Sequence, residues 1–179
     1  MNIRTKRLLL RKWKLKDAER LFELASNPEV GPPAGWPPHK TVRFSREIIK
    51  NVLSEDEIYA IVLLETMEII GCIGLKFGCD CCGDSERDTE FGYWLGKPYW
   101  GQGYMTEAIN ALLWHAFVNL EMQNVWIRYY EGNQRSKRIT EKLNFKYVRT
   151  NPKGETLLGY TLPEAETCMT RIEWLHTIR

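Results

Sequence analysis

The hydrophobic positions of this chain change period several times, and those changes divide it into strands, helices and loops. Arg7 to Trp13 is a short apolar run and reads as a first strand. Asp17 to Asn27 carries Ala18, Leu21, Phe22 and Ala25 at helical spacing, and Pro28 closes it. Gly31 to His39, GPPAGWPPH, reads as an ordered loop, and a second helix is expected over Val42 to Leu53. Glu57 to Leu64 and Ile69 to Phe77 read as strands joined by a turn at Thr66-Met67-Glu68. Gly78 to Asp88 is a polar loop, Thr89 to Leu95 a strand, and Lys97 to Gly103 a loop again.

The clearest helix follows, with Met105, Ala108, Ile109, Leu112, Ala116 and Leu120 on one face. Asn124 to Tyr130 reads as a strand and Arg135 to Leu143 as a short helix, with Asn144 suited to a left-handed cap. Phe145 to Arg149 and Thr156 to Leu162 read as a closing strand pair around Asn151 to Gly154, and the segment after Pro163 reads as helix. The order is β-α-α-β-β-β-α-β-α-β-β, a mixed α/β (α+β) chain. No repeat, low-complexity tract or long linker interrupts it, so residues 1–179 read as one domain.

Composition narrows the classes. At 179 residues the chain can bury ~70% of its unfolded surface, so it needs neither disulfide nor metal to fold. With 44% hydrophobic and 27% charged residues it is not a disordered chain. A net charge of +2 argues against a dedicated nucleic-acid binder. On an edge strand, the basic residues of 4–16 block the edge rather than bind nucleic acid. The longest apolar stretch, Ile58 to Leu64, falls far short of the ~20 residues of a membrane helix. The N-terminus lacks an apolar core of signal-peptide length, so the expected location is cytoplasmic. Of the five cysteines, Cys79, Cys81 and Cys82 crowd together and read as reduced thiols. Cys79-x-x-Cys82 has the spacing of half a zinc site, but no second pair follows, so no metal is expected.

The strongest chemical signal is EFGYWLGKPYWGQGYMTEA, Glu90 to Ala108. A strand enters a loop with glycines at 101 and 103, and a long helix leaves it. Glycines let the backbone turn tightly and let a ligand approach. The free N–H groups of the first helical turn suit an anion such as a pyrophosphate. The P-loop signature is absent, since Tyr104-Met105 follows Gly103, and the dinucleotide fingerprint needs three spaced glycines in a parallel βαβ unit.

This segment resembles the central acetyl-CoA motif of the GNAT acetyltransferases, most closely the branch that contains the ribosomal-protein N-terminal acetyltransferases. TKRLLLRKW with the Asp17 helix resembles that branch's opening, and Asn133-x-x-Ser136 followed by Glu141 to Phe145, EKLNF, resembles its next motif. The resemblance spans about residues 3–162. It implies a mostly antiparallel central sheet flanked by helices, acetyl-CoA as donor, and direct transfer to a primary amine. The implied acceptor is a protein N-terminal amine, with a small-molecule amine such as an aminoglycoside as the alternative. A non-catalytic acyl-CoA-binding module is the rival outside enzymes. By position, backbone groups near Leu95 would hold the pantetheine arm and the N–H groups of Trp100, Gly101, Gln102, Gly103, Tyr104, Met105 and Thr106 would cradle the pyrophosphate. Asn133 would bond the cofactor arm, and Ser136 would lie near the thioester sulfur.

Three positions depart from the family pattern. Trp100 stands where Gln or Arg is usual, Met105 where Gly or Ala is frequent, and Thr140 near the place of a tyrosine that protonates the leaving thiolate. A cradle of backbone N–H groups survives the first two. The third leaves Ser136, or water, as the acid. Glu90 is the candidate base, acting through water. Trp36 is placed to wall the acceptor pocket. Asp80, Asp84, Glu86, Asp88 and Glu90, against Arg87 alone, would attract a cationic acceptor. The expected assembly is a monomer or homodimer.

Overall fold

The computed structural model describes residues 2–78 and 86–178. Its strands are β1 (Ile3–Arg4), β2 (Leu8–Arg11), β3 (Ile58–Leu63), β4 (Ile69–Phe77), β5 (Asp88–Leu95), β6 (Asn124–Tyr130), β7 (Lys146–Glu155) and β8 (Thr161–Thr170). Its helices are α1 (Ala18–Ala25), α2 (Val42–Asn51), α3 (Tyr104–Trp114), α4 (Gln134–Lys142) and α5 (Arg171–Thr177). α3 runs on into a π turn, His115–Asn119. Among the described residues the strands form one sheet, ordered β1-β2-β3-β4-β5-β6-β8-β7. Its pairs are antiparallel except β5–β6, which is parallel.

Both faces of the sheet are covered, as β3 illustrates. Tyr59 and Ile61 join one core with Phe91, Ile109 and Val125, while Ile58, Ala60 and Val62 join a second with Leu21, Ala25 and Ile49. A period of two with both faces apolar is why β3 reads as a continuous hydrophobic run. The first core packs under α3 and α5, the second under α1 and α2.

Three expectations are corrected. The opening strand is not single: β1, unforeseen, pairs outside β2 through Ile3↔Leu10 and Arg4↔Leu9 and is itself the sheet edge, carrying Arg4 of the basic segment. Two charges of that segment turn inward on the chain: Arg11 grips Asp17 at 2.7 and 3.1 Å, and Lys12 donates to the Glu55 carbonyl, while Arg4, Lys6, Lys14 and Lys16 stay exposed. The closing turn is not at Asn151 to Gly154 but after Glu155, with Gly159 at φ +85°. The segment after Pro163 is strand, not helix, until Thr170. Pro163 is tolerated there because β7 bulges between Asn151 and Gly154, so no ladder N–H is required of it, and its carbonyl accepts from Glu131. The true helix start is Thr170, whose hydroxyl and Glu173 form a capping box.

Candidate active site

At Leu95 the chain leaves β5 and turns through Gly101 and Gly103, both with left-handed backbone (φ +74° and +78°). Gly103 is the residue before α3 and offers no side chain as a cap. The first N–H groups of α3 therefore have neither an intrahelical carbonyl nor a side-chain acceptor among the described residues. Trp100, Gly101, Gly103, Tyr104, Met105 and Thr106 border a cavity of about 750 Å³. The loop is braced from behind. Glu107 accepts from the Thr5 hydroxyl and from the Arg7 backbone and guanidinium, and Arg7 also donates to the Gln102 carbonyl.

The sequence-predicted cradle residues contribute unequally. Gln102 turns its amide onto the Pro98 carbonyl, at 2.9 Å, and does not border the cavity. The Met105 side chain is buried in the core. Trp100 donates its indole N–H to the Leu95 carbonyl at 2.8 Å, and the Arg135 guanidinium lies 3.7 Å over its ring. The unusual residue thus ties the loop to β5 and to the start of α4.

The cavity exists because β5 and β6 part. Among the described residues their ladder runs only from Asp88↔Asn124 to Phe91↔Ile127. Beyond it, Gly92 to Leu95 on one strand and Arg128 to Tyr130 on the other border the open space. α4 points its N-terminus into the same region. Its cap is Asn133, whose Oδ1 accepts from the Ser136 N–H and whose Nδ2 donates to the Pro33 carbonyl. Ser136 is therefore not the cap. Its buried hydroxyl lies 2.6 Å from that of Tyr93 on β5. Burial pushes the Tyr93 phenol well above its ordinary value, so it stays protonated. Thr140 donates to the Lys137 carbonyl within α4 and does not replace a tyrosine.

Glu90 is buried on the cavity floor. Its Oε2 accepts from Arg128 at 2.8 Å, and Arg128 reaches Glu164 of β8 at 3.2 Å. Burial raises the Glu164 carboxyl above the usual carboxylate range, against the pull of Arg128. One cation thus serves two buried carboxylates.

The far end is walled by the loop of residues 31–39. Trp36 meets Trp94 edge to face, with ring centroids 5.8 Å apart. Gly35 is left-handed (φ +81°) and abuts Tyr130, so closely that a Cβ would lie 2.4 Å from the ring. Its carbonyl accepts from the Leu157 N–H at 2.7 Å. His39 bonds Ser45 through Nδ1, at 2.8 Å, and burial lowers its pKa below the ordinary 6.5. In acid the unfolded chain takes this proton before the folded one does. The contribution of His39 to stability is thus intact above pH 6.5 and lost as pH falls toward the lowered native value. The melting temperature should drop below pH 6.5, and less steeply in His39→Gln; identical slopes would remove His39 as the cause.

The structure brings Glu90, Leu95, Trp100, Asn133, Ser136 and Trp36 to one cavity. The acidic loop behaves differently. Asp88 accepts from Asn124 and the Trp126 indole, away from the cavity, and Asp80 and Asp84 lie outside the described residues. So do Cys79, Cys81 and Cys82; among the described residues no group of metal-ligating side chains gathers. Nor is any helix there long and apolar enough to cross a membrane. Sequence reasoning missed Tyr93, Arg128 and Glu164. The first two are ordinary strand positions by pattern, and Glu164 followed a proline read as a helix start.

Comparison with known proteins agrees with this geometry. The family model described as "Acetyltransferase (GNAT) domain" matches residues 7–146. An uncharacterized N-acetyltransferase, p20 of Bacillus licheniformis, is 31% identical over 147 residues, covering 79% of this chain and 80% of the relative. YdaF of Bacillus subtilis, provisionally named as a ribosomal N-acetyltransferase, is 37% identical over 80 residues, 40% of this chain and 44% of the relative. The crystal structure of a GNAT-family acetyltransferase from Bacillus anthracis superposes with a TM-score of 0.82 at 21% identity, covering 97% of this chain and all of that one.

Proposed function

The chain belongs to the GNAT acetyltransferase family, and from that premise we propose that it moves the acetyl group of acetyl-CoA directly to a protein N-terminal amine. The observation that carries this reading is the uncapped glycine cradle of α3 facing the N-terminus of α4 across the parted β5 and β6. A pyrophosphate fits the first, and an extended pantetheine arm fits the gap with its unpaired strand backbone. The provisional name of the B. subtilis relative supports a protein terminus as acceptor. A cytoplasmic site of action, one catalytic domain, and a monomer or homodimer complete the reading.

The chemistry follows from the residues. A protonated amine is not a nucleophile, so its proton leaves through water to Glu90, with Glu164 beside it as a second acceptor. A backbone N–H near Leu95 stabilises the tetrahedral oxyanion. Asn133 has one amide hydrogen beyond its bond to Pro33, available to the cofactor arm. As the C–S bond breaks, the Ser136 hydroxyl gives its proton to the thiolate and takes one in concert from the Tyr93 hydroxyl 2.6 Å away, which regains a proton from solvent.

Calorimetric titration with acetyl-CoA tests the cofactor site: saturable micromolar binding is expected, and no binding by a folded protein would overturn the reading. Mass spectrometry of protein N-termini after incubation tests the acceptor; acetylation confined to small amines would refute a protein terminus. Ser136→Ala should lower kcat by ~100-fold with the KM for acetyl-CoA unchanged, and Tyr93→Phe by less. Undiminished kcat in Ser136→Ala would leave water as the proton source.

A further inference from the structure

The acceptor end of the cavity has a chemistry of its own. Trp94, Trp36, His39 and Phe44 form a continuous run of edge-to-face rings, with successive centroid separations of 5.8, 5.7 and 5.0 Å. All four border the cavity, with Tyr130 and Leu157 closing the ring. The apolar side chains at this rim are left to water. Leu157 is 79% exposed, Val52 44% and Phe44 42%, on the same opening. Apolar surface gathered around a concave site marks what the site receives.

The charges there point the same way. Among the described residues bordering the cavity, the carboxylates are Glu90 and Glu164, and both bond Arg128. Lys76 borders it too. Such a floor can receive one amine and its proton. It offers no row of carboxylates for a second or third ammonium. Asp88, the described acid nearest in sequence, is bonded to Asn124 and Trp126.

The aromatic wall is also fixed in place before any ligand arrives. The Trp36 ring packs on Gly31, where a Cβ would lie 2.5 Å from Cε3. Asn133 holds the Pro33 carbonyl, and the β7–β8 turn holds that of Gly35. A wall held from three sides discriminates by shape, because little ordering remains to be done on binding.

From this we infer that the acceptor carries its primary amine within a few bonds of one aromatic or large branched apolar group, without a second cationic centre. Trp36 is the residue that selects it, by stacking on that group. For a protein N-terminus, this means a large apolar residue at the first or second position. The inference takes only the location of the acceptor end from the acetyl-transfer reading.

The test is equilibrium binding of phenethylamine and of 1,4-diaminobutane to the CoA-saturated protein, followed by calorimetry and tryptophan fluorescence. Thiol release with the tripeptides Phe-Ala-Ala and Gly-Ala-Ala runs alongside. Phenethylamine should bind at least ~tenfold more tightly, and Phe-Ala-Ala should have the higher kcat/KM by a similar factor. Trp36→Ala should erase both preferences and Trp36→Phe should keep most of them, with the melting temperature and acetyl-CoA affinity reporting on the fold. Equal or tighter binding of the diamine, equal kcat/KM for the two peptides, or binding of neither amine would overturn the inference. If phenethylamine binds selectively to a protein that ignores acetyl-CoA, the transfer reading fails and the aromatic site stands.

Discussion

Gly103→Val should abolish measurable acetyl-CoA binding while the protein stays folded. The reason is backbone geometry rather than crowding. A Cβ on Gly103 would have its nearest neighbour in Arg7, at an ordinary 3.6 Å, so the space exists. The conformation does not suit valine. At φ +78° an L residue carries a strain of ~1–2 kcal/mol, and a β-branched one is a genuine outlier. The loop relieves that strain by rotating its peptide planes, which turns the N–H groups of the cradle away from the pyrophosphate. Each charge-assisted bond lost costs a further ~1.5–3 kcal/mol, so the dissociation constant should rise by ~100-fold or more. Gly159→Val is the control: the same left-handed strain (φ +85°), in the β7–β8 turn, should leave acetyl-CoA affinity unchanged. Wild-type affinity in Gly103→Val would refute the placement of the pyrophosphate at α3.

Glu90→Gln should reduce kcat by ~10²–10⁴-fold and leave the KM for acetyl-CoA unchanged. Glutamine keeps the shape and still accepts from Arg128, which retains Glu164 as its ionic partner, so the fold should survive. What disappears is a proton acceptor. Substituting each in turn separates the two carboxylates. Turnover requires the deprotonated base, so the rate climbs with pH, and burial places Glu164 high among carboxylates. If Glu90→Gln keeps full turnover and Glu164→Gln loses it, the base is Glu164. If both keep it, the amine loses its proton to solvent and Arg128 holds the pair for structure alone.

Both predictions rest on residues legible in the chain. EFGYWLGKPYWGQGYMTEA specified strand, left-handed glycine turn and helix in one continuous segment, because turn and helix-start preferences act locally, even though Thr5 and Arg7 brace the finished loop from a distance. The same holds for the hairpin of β3 and β4, for β6, and for Asn144, which is left-handed (φ +62°) as its place after α4 implies. The glycine turn, the start of α3 and the left-handed Asn144 after α4 were therefore readable, and so was the family they resemble.

Of the proton chemistry, only the candidates Glu90 and Ser136 were legible in the chain, and their partners were not. Glu90, Arg128 and Glu164 come from three strands, and only the register of β8 against β6 sets Glu164 beside the cation. A proline at 163 suggested a helix because the bulge that accommodates it belongs to another strand, β7. Tyr93 acquires meaning only where β5 and β6 separate and α4 brings Ser136 within 2.6 Å. The sequence by itself determined the left-handed glycine turn and the uncapped start of α3, since turn and helix-start preferences act over a few residues. The tertiary structure decided which carboxylates share Arg128 and which rings line the far end of the cavity, since those depend on strand register and on loops that meet from distant parts of the chain.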